Sequence, residues 1–141
     1  MHSSEERSMK VADLMQQDVV AVNPESALAE AITLLADAHV SALPVVSSTG
    51  QLVGVISASD ILGAEAEVQS AEGRATLFET TTVQELMTPT PQVIEPQADV
   101  RDAARRMLYA EVHRLFVTTG ERLEGVISAT DIVRGVAMNQ V

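Results

Sequence analysis

The apolar residues of this chain change period along its length, and the changes mark out its elements. Val11, Leu14 and Met15 recur at helical spacing and predict a short opening turn. Val19-Val20-Ala21-Val22 is largely β-branched and predicts a short strand. Asn23-Pro24-Glu25-Ser26 joins a capping residue, a proline suited to a first turn and an acid, and predicts a helix start. Ala27, Leu28, Ala31, Ile32, Leu34, Leu35 and Ala38 then hold a helical stripe whose small residues permit a close partner. Leu43-Pro44-Val45-Val46 and the segment from Gln51 to Ile56 predict two strands joined by the turn Ser47-Ser48-Thr49-Gly50. Pro44 is expected at a strand start, where a missing N–H does least harm. Another helix opens over Ser59 to Leu62.

From Gly63 to Thr82 the pattern weakens, with Glu65, Glu67, Glu72 and Glu79 alternating with Ala, Gly and Thr. This stretch reads as a linker, partly helical over Ala64 to Ser70, with Phe78 as an anchor. Beyond it the order returns. Val83-Gln84-Glu85-Leu86-Met87 matches Val11-Ala12-Asp13-Leu14-Met15, Pro96 matches Pro24, and Val100 and Ala103 match Leu28 and Ala31. Val112-His113-Arg114-Leu115-Phe116-Val117 lies over Val40-Ser41-Ala42-Leu43-Pro44-Val45. Gly54-Val55-Ile56-Ser57-Ala58-Ser59-Asp60-Ile61 returns as Gly125-Val126-Ile127-Ser128-Ala129-Thr130-Asp131-Ile132, identical but for one exchange of hydroxyl residues. A final helix is expected from Ala129 to Ala137, with Ile132, Val133 and Val136 on one face.

The resulting division is a frayed N-terminus over 1–8, a first repeat over 9–62, a linker over 63–82, a second repeat over 83–137 and a tail over 138–141. A repeat of about 70 residues is too long for a solenoid. Neither half buries enough surface to be comfortable alone. The expected fold class is α/β (α+β): two β-α-β-β-α units packed through their sheets with pseudo-two-fold symmetry, leaving two related clefts.

Composition narrows the function. The 141 residues are 46% hydrophobic but 2% aromatic, so the core must be Ala, Val, Leu, Ile and Met, the Met residues acting mostly as filler. The absence of Trp, with one Tyr and two Phe, argues against stacking platforms for single-stranded nucleic acid. A net charge of −11 repels nucleic-acid backbones and anionic membrane surfaces. The lack of Cys removes disulfides and thiolate metal sites. No apolar run approaches the ~18–20 residues of a membrane span, and the N-terminus lacks a signal pattern, so a cytoplasmic location is expected.

The repeated octet carries the candidate chemistry. A glycine, two β-branched residues, then a hydroxyl and a carboxylate three apart read as a strand running into a helix. Ser57 with Asp60 and Ser128 with Asp131 have capping-box spacing, which fixes a carboxylate beside free backbone N–H groups. An ionised carboxylate can accept both hydroxyls of a ribose diol, and a helix N-terminus favours phosphate. Capping alone would also explain the spacing; the two readings are compatible. Arg114 and His113 are the best phosphate candidates in so acidic a chain; the plainer alternative for Arg114 is a surface ion pair with Glu111 or Glu124. Arg134 is expected to face solvent or a dimer contact, and His39 to offset a helix C-terminus. There is no Gly-Lys-Ser phosphate loop, no spaced His pair and no nucleophile turn, and two acids in identical repeat positions suit two binding sites better than one reaction. No enzyme activity and no metal site are expected.

The chain resembles a tandem pair of cystathionine-β-synthase (CBS) domains, the Bateman module. Three duplicated features carry the resemblance over residues 9–137: the Leu14-Met15 and Leu86-Met87 turns, Val22-Asn23-Pro24 with Ile94-Glu95-Pro96, and the closing octet. The resemblance implies a regulatory module for AMP, ADP or ATP, with S-adenosylmethionine as another adenosyl ligand, commonly assembled as a homodimer that controls a partner protein. It implies that Asp60 and Asp131 hold ribose hydroxyls and that Ser57 and Ser128 approach ribose or phosphate. Ala42 and Pro44, with the residues around them, would frame the base, and His113-Arg114 resembles a His-Arg pair that meets phosphate in the gamma subunit of AMP-activated protein kinase. Phe116 stands where the pattern has proline, and Ser41-Ala42 where the second repeat has His113-Arg114, so two unequal clefts are expected. The alternatives from the sequence are a ligand-free dimerisation module and a magnesium-responsive acidic one.

Overall fold

The computed structural model describes residues 9–138; the expected frayed segment 1–8 and residues 139–141 of the expected tail lie outside the described residues. The chain forms two compact units that do not follow the repeat boundaries. One is Val20–Pro91; the other joins the chain up to Val19 to the chain from Gln92 onward. Each repeat therefore has its opening turn in the unit built by the other repeat.

The Val20–Pro91 unit contains α2 (Leu28–Ala38), β1 (Ala42–Val46), β2 (Leu52–Ser57), α3 (Ala58–Glu65), α4 (Ala71–Thr80) and α5 (Val83–Leu86). Strands β1 and β2 pair antiparallel, with Ala42 opposite Ser57 and Pro44 opposite Val55. Val22, Leu28, Ala31, Leu35, Leu43, Val45, Ile56, Ile61 and Val83 form its core. The other unit contains α1 (Val11–Leu14), β3 (Val93–Ile94), α6 (Val100–Ala110), β4 (Arg114–Thr119), β5 (Arg122–Ser128) and α7 (Ala129–Ala137). Its sheet runs β3-β4-β5, parallel then antiparallel. Val11, Ile94, Ala103, Met107, Leu115, Val117 and Ile127 make the core. Fully burying an aliphatic side chain such as Leu115 or Ile127 contributes ~1.5–3 kcal/mol.

The three duplicated sequence features meet in one clasp in each unit. The first amides of α1 donate to the loop before α6, Val11 N to Ala98 O and Ala12 N to Pro96 O, both at 2.9 Å. In the other unit Val83 N donates to Ser26 O at 2.8 Å and Gln84 N to Pro24 O at 2.9 Å. These bonds satisfy helix-start N–H groups that lack intrahelical partners. After each turn the chain crosses the closing strand, where Gln16 exchanges two backbone hydrogen bonds with Val126, and Thr88 two with Val55. The crossing explains the repeated glycine. A Cβ on Gly125 would lie 2.5 Å from the Gln16 carbonyl oxygen, and one on Gly54 2.6 Å from Met87 Sδ and 2.8 Å from the Thr88 carbonyl oxygen.

Several local expectations are corrected. The strand expected over Val19–Val22 contracts to a single bridge, Val22 to Val45, whereas its counterpart β3 keeps two residues. Phe116 N donates to Gln92 O at 3.0 Å in the second repeat. Pro44 holds the equivalent position and has no N–H to give, so the parallel ladder stops. Pro44 is also the third residue of β1 rather than its start. Helix α2 begins at Leu28 because the Asn23 side chain accepts the Glu25 amide at 2.9 Å and holds residues 24–26 in a turn and bend.

The linker helix is Ala71–Thr80, not Ala64 to Ser70, and it starts where Ser70 Oγ accepts the Gly73 amide at 2.9 Å. Phe78 and Leu77 pack on the core of their unit. In α7, Ile132 is half-buried but Val133 and Val136 are exposed, and Gly135 is buried instead. His39 and Glu111, at matching repeat positions, close α2 and α6 in the left-handed conformation with φ of 55° and 58°.

Candidate functional site: two strand-to-helix junctions

Each octet passes from strand to helix at its serine. Ser57 caps α3: its hydroxyl accepts the Asp60 amide at 3.1 Å, and its own amide donates to Asp60 Oδ2 at 2.9 Å. Ser128 caps α7 in the same way, at 3.1 and 2.8 Å. Both capping boxes are therefore present, as the plainer reading of the spacing expects. They also hold each aspartate against the end of its strand, so capping and carboxylate placement are one arrangement.

Beyond the caps the junctions diverge. Asp131 is 2% exposed, and its carboxylate receives four donors. Oδ2 takes the Ser128 amide and the Ser128 hydroxyl, the latter at 2.9 Å. Oδ1 takes Gln16 Nε2 at 3.0 Å and Arg134 Nη1 at 3.1 Å. Burial is the largest influence on this carboxyl and opposes its ionisation; the bonds from Gln16, Ser128 and Arg134 together outweigh it and hold the pKa below the ordinary aspartate value. Arg134 faces solvent as expected, with its side chain 57% exposed, and its guanidinium is also tied to a buried acid. Asp60 is only half-buried, and among the described residues nothing donates to its Oδ1. The repeat explains the difference, because Gly63 stands where the second copy has Arg134, and Thr88 where it has Gln16.

The remaining site candidates fall around these junctions. Ala42 is half-buried and paired with Ser57, whereas Pro44 is buried and gives its carbonyl to the Val22 amide at 3.0 Å. Arg114 is half-buried and sits opposite Ser128 in the sheet. Among the described residues it forms no ion pair with Glu111 or Glu124 and no side-chain hydrogen bond. His113 is exposed and lines a groove of about 580 Å³ between α6 and α7 with Met107, Ile132 and Val133. Its neighbour Arg114 does not line that groove. Gln16 and Arg134 escaped the sequence reading as site residues; comparing Gln16 with Thr88 and Arg134 with Gly63 is the signal that finds them.

Among the described residues no group of three His, Asp or Glu side chains is placed to hold a metal ion, and no helix is long and apolar enough to cross a membrane.

Comparison with known proteins identifies the family. The CBS domain family model matches twice, over residues 11–67 and 83–137, and the chain belongs to that family as a tandem pair. It is 28% identical over 147 residues to the chloroplastic CBS domain-containing protein CBSX2 of Arabidopsis thaliana, across 88% of this chain and 62% of that protein. It is 30% identical over 132 residues to a zinc metalloprotease of Methanocaldococcus jannaschii, across 94% of this chain and 33% of that protein. The chain therefore spans about three fifths of one curated relative and a third of the other. The crystal structure of CBSX2 in complex with AMP superposes with a TM-score of 0.79 at 29% identity, covering 94% of this chain and 98% of that one.

Proposed function

We propose that this CBS pair is a non-catalytic regulatory module that binds an adenine nucleotide, AMP, ADP or ATP, at its strand-to-helix junctions. The observation that carries the reading is the Ser57–Asp60 junction: the carboxylate of a half-buried residue, locked in place by its cap, with Oδ1 uncommitted among the described residues. Two vicinal ribose hydroxyls suit such an acceptor, since hydrogen bonds to a charged oxygen are the stronger kind. The AMP complex of CBSX2, at 29% identity over nearly the whole of both chains, supports the choice of adenine nucleotide. Arg114, opposite Ser128 in the sheet, is the phosphate candidate of the second junction, because the residue is half-buried and forms no ion pair with Glu111 or Glu124 among the described residues. His113 is the weaker one, since it lines the α6–α7 groove. The cytoplasmic placement read from the sequence belongs to this proposal; the Arabidopsis relative is chloroplastic.

The same reading makes the protein a homodimer that controls a separate partner protein. Leu108, Tyr109, Val133, Val136 and Met138 are 79, 94, 65, 54 and 55% exposed on α6, α7 and the residue after it, and an apolar surface of that kind favours association. Control requires the nucleotide to bind two states unequally.

Calorimetric titration with AMP, ADP, ATP and S-adenosylmethionine, alongside sedimentation with and without ligand, tests the proposal. Saturable heat with at least one adenine nucleotide is expected, together with a dimer mass. No heat at millimolar nucleotide, with an unchanged dimer, would leave a ligand-free dimerisation module. Stabilisation by magnesium alone would favour the cation-responsive alternative.

A further inference from the structure

We infer that Arg134 and Gln16 latch the second junction shut, so that the two octets are not equivalent sites and the Asp60 junction takes nucleotide first. The inference rests on the nucleotide reading above and says which copy of the site is open and what closes the other.

A carboxylate offers about four lone-pair positions. At Asp131 each oxygen already receives two donors, at distances from 2.8 to 3.1 Å, and the residue is 2% exposed. Two of the four, the Ser128 amide and hydroxyl, belong to the cap on Oδ2, which the Asp60 junction matches with the Ser57 amide alone. The other two converge on Oδ1 from different directions. Gln16 reaches in from the segment that follows α1, and Arg134 from one turn along α7. A ribose diol needs an acceptor that these two side chains occupy. Neither has a counterpart at Asp60. Gly63 has no side chain, and Thr88 is too short to do what the Gln16 amide does and makes no side-chain bond to Asp60 among the described residues.

The latch is releasable by construction. The Arg134 side chain is 57% exposed, so it has solvent to turn into when it leaves Asp131. Gln16 is held at its backbone by its two bonds to Val126, so only its side chain must rotate to free Oδ1. Arg134 and Gln16 are thus residues that set which junction binds, acting through Asp131.

AMP titration followed by both heat and backbone amide shifts tests the assignment, using the full chain, Asp60→Asn, and Asp60→Asn combined with Gln16→Ala and Arg134→Ala. The native chain is expected to bind one AMP, with shifts at 57–60. Asp60→Asn should lose that binding at least tenfold, and adding Gln16→Ala and Arg134→Ala should restore one site, with shifts at 128–131. Binding unaffected by Asp60→Asn, or a triple variant that stays silent while the native chain binds, would overturn the inference and leave the nucleotide reading standing. Absence of AMP, ADP and ATP binding by every variant would sink the nucleotide reading and the inference with it. Circular dichroism of each variant separates loss of binding from loss of fold.

Discussion

The junctions at Asp60 and Asp131 are written in nearly the same eight residues, and they cap their helices with the same pair of hydrogen bonds. They end in different surroundings. One acid is half-buried with an oxygen to spare, whereas the other is buried under four donors. Apart from the Ser128 hydroxyl, which bonds Asp131 where the Ser57 hydroxyl gives no such bond to Asp60, the difference arises outside the octet's shared positions, in Arg134 against Gly63 and Gln16 against Thr88. The shared motif specifies a helix start with an acid aimed back at the strand; residues brought in by the following turn and by the crossing segment decide whether that acid is available. A second contrast follows the same logic. Phe116 keeps a ladder bond to Gln92 that Pro44 cannot make, so one unit has a three-stranded sheet and the other a two-stranded sheet with a bridge beside it.

The largest effect should come from destroying what the two units share. Gly125→Val and Gly54→Val place side chains against the crossing backbone, at 2.5 Å from the Gln16 carbonyl oxygen and 2.8 Å from that of Thr88. Each is expected to cost roughly 2–4 kcal/mol, at or above the upper range for overpacking because backbone must move. Urea unfolding measures it, and a loss below 1 kcal/mol at both sites would refute the clasp.

The next effect separates the junctions. Asp131→Asn should cost about 2–3 kcal/mol, because Arg134 and buried donors lose a charged acceptor. Asp60→Asn should cost about 0.5–1 kcal/mol, the scale of a partly exposed helix cap. The pH profile sharpens the contrast. Since the folded protein holds the Asp131 pKa below its ordinary value, its contribution is fully present above about pH 4 and is lost as pH falls through the folded value. The stability gap between native protein and Asp131→Asn should be level from neutrality to about pH 4 and close below it. A gap that widens on acidification would contradict the assignment.

Smaller effects probe local geometry. Glu111→Gly relieves a left-handed residue at the end of α6 and should stabilise by about 0.5–1 kcal/mol in thermal unfolding. Pro44→Val restores an N–H opposite Val20 and should make residue 44 measurably protected from amide exchange, with stability changing by less than about 1 kcal/mol. An unprotected amide there would show that proline is not what shortens the ladder.

The tandem duplication, the helix faces and the strand-to-helix turns were legible because they are local: Leu28, Ala31 and Leu35 announce α2 by spacing, and Ser57 with Asp60 announces a cap. The sequence concealed what depends on distant partners. Nothing near Val11 says that α1 will pack in the unit built from Gln92 onward, and nothing near Gly125 says that Gln16 will cross it. The linker helix was misplaced because Ala71–Thr80 has no apolar stripe and is set by the Ser70 cap and by Leu77 and Phe78 reaching their unit's core. The acids were found as a pair, and their clefts were expected to be unequal through Phe116 and His113-Arg114; Asp131 is set apart by other residues, among them Gln16, 115 positions earlier, which supplies one of its donors.

The most direct test of the central claim is the backbone amide spectrum of the unaltered protein during addition of AMP. The expected result is saturable shifts centred on Ser57, Ala58, Ser59 and Asp60, with Ser128 to Asp131 moving later or not at all. Saturation with those amides unmoved and the shifts lying elsewhere would contradict it.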